Sequence, residues 1–235
     1  RVVRVYKTTK FRKTNIEQGG RHMRVIAGTA RRLPLVTPKG METRPTTDRI
    51  KETLFNILQN DLPGCHFLDL FAGSGAIGIE ALSRGAAKAV FVDNSKEALS
   101  CIRQNLEKTH LADRAIVIGQ DCAGAIHALD AKKMHFDIIF MDPPYQLNAE
   151  KEMLTAIADS KIADEDTQII IEATLDREFS QDELVCFDVV RVKEYKTNKH
   201  IFLQKSSLVN RIRRNSSLTL GAIGDMTLLK MEVIL

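Results

Sequence analysis

Apolar positions alternate between two patterns from residue 64 onward. Short apolar runs near 66–70, 88–92, 115–118, 136–141 and 167–173 have the length and apolarity of buried strands. The segments between them, near 76–84, 95–108, 121–130 and 149–159, carry apolar residues at helical spacing. Strands that alternate with helices predict a parallel sheet built of βα units, and hence an α/β domain.

The pattern changes on both sides of this region. After residue 173 the alternation stops, and the runs 184–193 and 200–203 predict an antiparallel pair that closes one edge of the sheet. Residues 24–39 mix short apolar pieces with Gly and Pro, which is typical of a small hairpin or arm. Pro, Thr and Asp within 44–48 predict a helix start, and the apolar spacing carries this helix to about Asn60.

These patterns predict four regions. Residues 1–22 show no helical or strand period, and we expect a non-native or disordered basic extension before a natural start at Met23. Residues 23–43 form the predicted arm, and residues 44–205 form the main domain. Residues 206–235 form a C-terminal tail for which the pattern predicts no defined structure.

Composition narrows the class of protein. The chain of 235 residues is 44% apolar and 27% charged, as in soluble globular proteins. No apolar run approaches the roughly 20 residues that span a membrane, so we expect a cytoplasmic protein. The four cysteines form no C-x-x-C pair, which argues against a zinc site or a disulfide framework, and no metal site is predicted.

Charge is distributed unevenly along the chain. Residues 1–22 have a net charge of +6 and residues 24–51 one of +5, whereas the whole chain has +4, so the remaining residues carry −7. A basic front before a mildly acidic body favours a polyanionic partner approached from one side.

A glycine-rich turn follows the first predicted strand. The segment Gly73-Ser74-Gly75-Ala76-Ile77-Gly78 satisfies the dinucleotide fingerprint, and Asp93 lies twenty residues beyond Gly73. Such a loop lets a ligand approach the backbone in front of a helix N-terminus. The loop by itself allows a nicotinamide cofactor as well as other nucleoside-like cofactors.

Acidic residues around this turn favour a cationic ligand. Asp69 lies four residues before the first glycine, where a carboxylate repels a pyrophosphate and attracts an ammonium group. S-adenosylmethionine carries an ammonium and a sulfonium and no phosphate. Asp93 is then expected to bind the ribose hydroxyls, and Asp121 with Cys122 to lie beside the adenine; Asp121 is equally suited to cap a helix.

The segment Asp142-Pro143-Pro144-Tyr145 follows the apolar run 136–141. Two prolines force the chain out of the sheet as a stiff loop, so an acid and an aromatic ring are held at the strand's carboxyl end, where ligands bind in open α/β sheets. The Asp142 carboxylate and the Pro143 carbonyl can accept both hydrogens of an exocyclic amine, and Tyr145 can stack on the base. This positioning would aim the nitrogen lone pair at a sulfonium methyl group.

Several motifs in order resemble one family. They are Met23-Arg-Val-Ile-Ala-Gly, Arg44-Pro-Thr-x-x-Arg49 with Glu52, Leu54-Phe55-Asn56, Asp69-Leu-Phe-Ala-Gly-Ser-Gly, Glu80-Ala-Leu-Ser-Arg-Gly85 and Asp142-Pro-Pro-Tyr145. The chain is similar, from Met23 to Lys205, to the bacterial 16S ribosomal RNA guanine-N2 methyltransferases that act on guanine 966. This resemblance implies a Rossmann-like class I methyltransferase fold, with a mostly parallel seven-stranded sheet, an antiparallel edge and helices on both faces.

The resemblance also implies the chemistry and the partners. It implies methyl transfer from S-adenosylmethionine to the exocyclic N2 of a 16S rRNA guanine, within an assembled or partly assembled small ribosomal subunit, by a monomer. The implied cofactor-binding residues are Asp69, Phe71, Gly73, Ser74, Gly75, Gly78, Asp93, Asn94, Asp121 and Cys122. The implied catalytic residues that hold the flipped guanine are Asp142, Pro143, Pro144 and Tyr145. The implied phosphate-binding residues are Arg24, Arg31, Arg32, Arg44 and Arg49, although Arg49 is equally suited to pair with Glu52 on one helix face.

Three alternatives remain open from the residues. An adenine-N6 methyltransferase on DNA or RNA would use the same four residues at 142–145, because they hold either amine. A nicotinamide oxidoreductase would use the glycine loop. A non-catalytic RNA-binding assembly factor would need neither, and the intact acid and tyrosine argue against it.

Overall fold

A computed structural model of the protein describes residues 23–39, 48–144 and 149–207. The helices are α1 (Asp48–Ile57), α2 (Ala76–Ser83), α3 (Lys96–Thr109), α4 (Cys122–Ala131) and α5 (Ala149–Ala158). The strands are β1 (His66–Leu70), β2 (Lys88–Asp93), β3 (Ala115–Gly119), β4 (Ile138–Met141), β5 (Gln168–Thr174), β6 (Phe187–Glu194) and β7 (Asn198–Lys205). Each strand and helix predicted beyond residue 64 is present within a few residues of its expected bounds.

The seven strands form one sheet in the order β3-β2-β1-β4-β5-β7-β6. The first five pair in parallel, and β7 pairs antiparallel with both β5 and β6. In the middle of the sheet Leu68 lies opposite Val90 on one side and Ile139 on the other. The predicted parallel sheet with an antiparallel edge is therefore confirmed.

Alternate residues of the central strands pack against different helices, because successive strand side chains point to opposite faces. Phe67 belongs to a buried cluster with residues of α1, α2 and α3, whereas Leu68 belongs to a cluster with residues of α4 and α5. Both faces of the parallel sheet are thus covered, as its nearly continuous apolar strands require. The expected helices on both faces are confirmed.

Helix α1 is shorter than expected. It ends at Ile57, three residues before the predicted end at Asn60, because the chain turns through an Asp61 to Leu58 hydrogen bond of 2.9 Å and buries Leu62. Its predicted start within residues 44–47 lies outside the described residues.

The predicted arm is a short hairpin that packs onto the sheet domain. An isolated antiparallel bridge joins Arg24 and Pro34, and the Val25 N–H donates to the Leu33 carbonyl at 3.0 Å. Val25 and Leu35 are buried in the cluster that contains α1, α2 and α3. The arm is therefore anchored by apolar contacts as well as by hydrogen bonds.

Three sequence predictions fall on other parts of the chain. The extension 1–22, the boundary between arm and domain near residues 43 and 44, and the tail beyond Ser207 lie outside the described residues. Within the described ranges, no helix is long and apolar enough to cross a membrane.

Candidate active site

The strand order reverses direction between β1 and β4, which are neighbours in the sheet although two strands, β2 and β3, lie between them along the sequence. In open α/β sheets such a point leaves a crevice at the carboxyl ends of the strands, where ligands bind. The loop after β1 is the predicted glycine turn, and the loop after β4 begins with Asp142. The fold therefore brings the two principal motifs of the sequence to one edge of the sheet.

The glycine turn is a tight loop that leads directly into α2. Gly75 is left-handed, with φ 76°, and its N–H donates to the Ala72 carbonyl at 2.7 Å. Phe71, which is not a glycine, also has a positive φ of 58°. For a residue other than glycine, a left-handed backbone costs roughly 1–3 kcal/mol, and such residues are typical of functional loops. The N-terminus of α2 follows at Ala76 and presents its first N–H groups behind the loop.

Asp69 lies on β1, beneath the N-terminus of α2. It is almost completely buried, and its Oδ2 accepts a hydrogen bond of 2.8 Å from the Gly78 N–H. Burial raises the pKa of Asp69 well above its ordinary value; the Gly78 hydrogen bond opposes this effect, whereas the charges of Asp93 and Asp142 add to it. Asp69 therefore lies near two other carboxylates at this edge, an arrangement that disfavours a pyrophosphate and suits a cationic ligand.

Asp93 ends β2 and is joined to the glycine turn. Its Oδ2 accepts from the Gly73 N–H and its Oδ1 from the Ser95 N–H, both at 2.8 Å. Each carboxylate oxygen has a second lone pair, so Asp93 keeps acceptor capacity for ligand hydroxyls. Asn94 follows it in an exposed position.

Asp121 and Cys122 lie where β3 passes into α4. Asp121 caps this helix by accepting from the Gly124 N–H at 2.7 Å, as one of its two predicted roles requires. Cys122 is buried, and burial raises the pKa of its thiol to about 12. Cys122 is thus a neutral thiol at physiological pH and is not suited to act as a nucleophile.

Gly78 and Ser74, both predicted to bind cofactor, also hold the loop to its surroundings. A Cβ atom at Gly78 would lie 2.4 Å from Cε1 of Phe91, so this glycine allows α2 to pack closely on β2. The Ser74 carbonyl accepts from Nδ2 of Asn105 at 2.9 Å. Asn105 also exchanges two hydrogen bonds with the backbone of Val36, which couples the arm to the glycine turn.

The loop after β4 begins directly where the strand ends. β4 ends at Met141, Asp142 is half-buried, Pro143 is buried and Pro144 is exposed. Tyr145, the fourth residue of the motif, lies outside the described residues.

A buried polar network that the sequence did not suggest lies on the neighbouring strands. Met141 pairs with Ile171, so Glu172 of β5 follows at the same edge as Asp142. Glu172 Oε1 accepts from Asn198 Nδ2 at 2.5 Å, and its Oε2 lies 3.3 Å from Nε2 of His200. The other ring nitrogen of His200 lies 3.1 Å from the hydroxyl of Tyr195.

The hydroxyl of Tyr195 is part of this network. Burial, together with the charge of Glu172, raises the pKa of Tyr195 to about 12, so its hydroxyl keeps its proton and can donate to Nδ1 of His200. The network fixes the edge of the sheet beside Asp142.

The predicted phosphate-binding residues that the structure describes are all exposed. Arg24, Arg31 and Arg32 lie on the arm and Arg49 lies on α1, whereas Arg44 is outside the described residues. Arg24 forms an ion pair of 2.8 Å with Asp48, and the alternative pair between Arg49 and Glu52 is absent from the described ion pairs. The described arginines of the basic front thus lie on the arm and at the beginning of α1.

Residues 23–204 match the model of the family described as Conserved hypothetical protein 95. The chain belongs to this family. YlbH of Bacillus subtilis, a candidate rRNA methyltransferase, is 41% identical over 172 residues, which are 73% of this chain and 92% of YlbH. The ribosomal RNA small subunit methyltransferase D of Haemophilus influenzae is 34% identical over 158 residues, which are 66% of this chain and 80% of that protein.

A solved structure agrees with these relatives. The yhhF protein of Escherichia coli, a candidate methyltransferase, has a TM-score of 0.67 and 29% identity to this chain, and the match covers 79% of this chain and 99% of that one. The predicted family of rRNA methyltransferases and its Rossmann-like fold are confirmed.

This member of the Conserved hypothetical protein 95 family collects most of its predicted site at one edge. The residues from 69 to 78, Asp93 with Asn94, Asp121 with Cys122, and residues 142–144 all lie at or just beyond the carboxyl ends of parallel strands. Asn105, Glu172 and His200 were missed because a lone polar residue in an apolar pattern carries no signal of its partners. The assignment of individual residues to cofactor or base remains a prediction.

Proposed function

We propose that the protein transfers a methyl group from S-adenosylmethionine to the exocyclic N2 of a guanine in small-subunit ribosomal RNA. The observation that carries this proposal is the meeting of two loops at the point where strand order reverses. One loop has glycines and buried or half-buried carboxylates, and the other presents Asp142, Pro143 and Pro144. Membership of the family supports the same activity.

The first loop fits the cofactor by charge and by shape. The carboxyl groups of Asp69, Asp93 and Asp142 lie at this edge, and the ammonium and sulfonium groups of S-adenosylmethionine favour their ionised forms when the cofactor binds. In this proposal Asp69, Phe71, Gly73, Ser74 and Gly75 surround the methionine part, with Gly78 behind them. Asp93 and Asn94 take the ribose, and Asp121 and Cys122 lie beside the adenine.

The second loop holds the base that accepts the methyl group. The Asp142 carboxylate and the Pro143 carbonyl accept the two N2 hydrogens, Pro144 stiffens the loop, and Tyr145 stacks on the ring. When bound, the cofactor supplies an electrophilic methyl group: the N2 lone pair forms the new N–C bond while the S–C bond breaks, and the electron pair stays on sulfur. The cationic nitrogen loses a proton to solvent only after the methyl group has been transferred. The acceleration of methyl transfer therefore comes from positioning and electrostatics.

The substrate is held by the basic front. Arg24, Arg31, Arg32, Arg44 and Arg49 contact phosphates of the rRNA, whose unpaired segments allow a guanine to be extruded at the lowest cost. The further parts of this proposal are that the substrate is an assembled or partly assembled small subunit, and that the enzyme acts as a cytoplasmic monomer.

Incorporation of labelled methyl groups tests the substrate. Small ribosomal subunits, protein-free 16S rRNA and duplex DNA are each incubated with the enzyme and S-adenosylmethionine that carries a labelled methyl group. We expect label only in the small-subunit substrates, and digestion should recover it as N2-methylguanosine. Label in duplex DNA, or recovery as N6-methyladenosine, would contradict the proposal and favour the adenine-N6 alternative.

Thermal unfolding tests the cofactor independently of the substrate. S-adenosylhomocysteine should raise the Tm, because a ligand that binds only the folded state stabilises it. NAD should not raise it. Stabilisation by NAD alone would favour an oxidoreductase.

A further inference from the structure

The arm and α1 enclose a cleft away from the candidate active site. It has a volume of about 640 Å³, and Arg31, Arg32, Arg84, Glu52 and Asn56 contribute to its walls. We call it the arm cleft. Its volume lies within the range of about 300–1,000 Å³ that is usual for small-molecule sites, which is enough for a nucleotide.

The arm cleft lies toward the far end of α2 from the glycine turn. Gly28 of the arm contacts the carboxyl end of this helix so closely that an added Cβ would lie 1.9 Å from the Ser83 carbonyl oxygen. Arg84, which lines the cleft, is the C-cap of α2, whereas the glycine turn precedes the helix. Eight helical residues span about 12 Å, so the cleft is a separate site from the one that holds cofactor and target base.

Positive charge in the arm cleft is available to a ligand. Arg31 and Arg32 are exposed, and neither has an ion pair among the described residues. Arg84 uses its Nε to donate to Glu80 at 2.8 Å and stacks over the ring of Phe55 at 5.2 Å. A guanidinium has five N–H donors, so this contact leaves most of its donors for an anion.

The cleft wall is also held in place before any ligand binds. Glu80, completely buried, accepts from the N–H groups of Ile26 and Ala27 at 2.7 and 2.9 Å, and its Oε2 lies 3.2 Å from Nζ of Lys51. Lys51 in turn donates to the Arg24 carbonyl at 2.6 Å. A site whose backbone is fixed in this way loses little conformational entropy on binding.

The chemistry of the walls distinguishes between anionic ligands. Asp48 and Glu52 line the cleft together with the arginines, so an acidic peptide would meet like charges there. Carboxylates and the Asn56 amide can instead bond the amino and imino groups of a nucleobase, while arginines bind its phosphate. The mixture of donors and acceptors therefore matches a nucleotide better than it matches a purely anionic partner.

We propose that the arm cleft binds an unpaired nucleotide of the rRNA substrate, distinct from the target guanine. Its phosphate lies against Arg31, Arg32 and Arg84, and its base edge against Asn56 and Glu52. This inference rests on the proposed function, because it assumes that the substrate is RNA. It adds a second point of recognition, which selects the rRNA segment independently of the methylated base.

Steady-state kinetics on small ribosomal subunits test the phosphate contacts. The double substitution Arg31→Ala/Arg32→Ala should raise the KM for the subunits ~10-fold or more, because each lost phosphate contact weakens binding and lowers its salt dependence. The kcat and the KM for S-adenosylmethionine should change less than ~2-fold, since a remote contact contributes equally to ground and transition states. The matched control Lys132→Ala/Lys161→Ala removes two exposed charges from the opposite face and should leave the KM unchanged.

A second variant tests the base contacts. Asn56→Ala removes no charge, so it should weaken binding of protein-free 16S rRNA by ~3-fold or more without changing the salt dependence. Unchanged binding by Asn56→Ala would exclude the base contact. An effect of the arginine variant on assembled subunits but not on protein-free rRNA would overturn the inference in favour of a ribosomal protein contact.

The two proposals fail in different ways. A wild-type protein that methylates no small-subunit substrate would remove the proposed function. A wild-type protein that is active, together with an arginine variant whose KM is unchanged or no worse than the lysine control, would remove the arm cleft and the phosphate contacts of Arg31 and Arg32 but would leave the proposed methyl transfer standing.

Discussion

At the scale of single residues, the candidate active site depends on carboxylates that the fold places close together. Asp69 and Asp93 are tied to backbone N–H groups of the turn, and their positions are therefore fixed by the turn itself. Asp142 belongs to a different loop and reaches the same edge only because β4 is the neighbour of β1. The three side chains are of the same type, but they lie in different environments.

The substitution Asp142→Asn tests the acceptor role at residue scale. Asparagine keeps one acceptor oxygen but directs an NH₂ donor at the substrate amine, so we expect kcat to fall on the order of 10²–10³-fold. Binding of S-adenosylhomocysteine, measured by calorimetry, should be retained. The control Asp113→Asn alters an exposed carboxylate elsewhere and should keep full activity; an Asp142→Asn enzyme with comparable activity would exclude the role.

The raised pKa of Asp69 predicts a pH dependence of stability. A carboxyl group whose folded-state pKa is raised stabilises the fold fully below its unfolded pKa of about 3.9, and this contribution is lost as the pH rises through the folded pKa. Asp69→Asn cannot ionise and still offers an oxygen to the Gly78 N–H. Its free energy of unfolding relative to wild type should therefore rise from pH 4 to pH 8.

Urea unfolding of both proteins at several pH values measures this difference. The same variant should bind S-adenosylmethionine more weakly, because its amide cannot ionise to pair with the cationic ligand. A difference in unfolding free energy that does not depend on pH would show that Asp69 has an ordinary pKa in the folded protein.

At the scale of elements, the glycine turn is positioned by the contact between α2 and β2. Gly78 lies against the ring of Phe91, and the same residue donates the hydrogen bond to Asp69. Gly78 thus serves two purposes: it allows the helix to pack closely on the strand, and it places the Asp69 carboxylate. The third glycine of the fingerprint serves this packing, as it does in dinucleotide-binding folds.

A double-mutant cycle tests the contact between these two elements. Gly78→Ala should lower the free energy of unfolding by about 1–3 kcal/mol, because overpacking forces the ring or the helix to move. In a Phe91→Leu background the same substitution should cost less, since the smaller side chain makes room. Equal costs in both backgrounds, measured by urea denaturation, would mean that the ring does not limit the space at residue 78.

At the scale of the whole molecule, Glu80 joins three separate parts of the chain. Its carboxylate contacts the arm through Ile26 and Ala27, α1 through Lys51, and the end of α2 through Arg84. Burial lowers the pKa of Lys51, and the neighbouring Glu80 offsets part of this effect. The ion cluster thereby fixes the arm, and with it the arm cleft, on the sheet domain.

Glu80→Gln tests this connection. Removing the charge leaves Lys51 buried without its anion, so the free energy of unfolding should fall by about 3–5 kcal/mol. The control Glu97→Gln alters an exposed carboxylate that accepts from the Lys39 N–H, and it should cost less than about 1 kcal/mol. Similar losses in the two variants, measured by urea denaturation, would show that the buried cluster contributes little.

The sequence predicted the order and type of the described elements because the period of apolar residues is a local property. The strand runs ending at Leu70 and Met141 and the loops that follow them were recognisable from the chain alone. The end of α1 was misplaced by three residues, since the burial of Leu62 depends on a tertiary contact. The Glu172 and His200 pair and the attachment of the arm to Glu80 were not predicted, because His200 lies 28 residues from Glu172, and Ile26 lies 54 residues from Glu80 along the chain.

The division between sequence and tertiary structure follows from the range of the forces involved. Apolar periodicity, glycine conformational freedom and the two prolines after Asp142 act over a few residues, so the sequence by itself determined the α/β class, the glycine turn and the candidate chemistry of the two loops. Pairing of β1 with β4, the close contact of Gly78 with Phe91 and the docking of the arm on Glu80 join distant segments. Only the tertiary structure decided them, because burial and charge at each of these sites depend on which distant segments pack there.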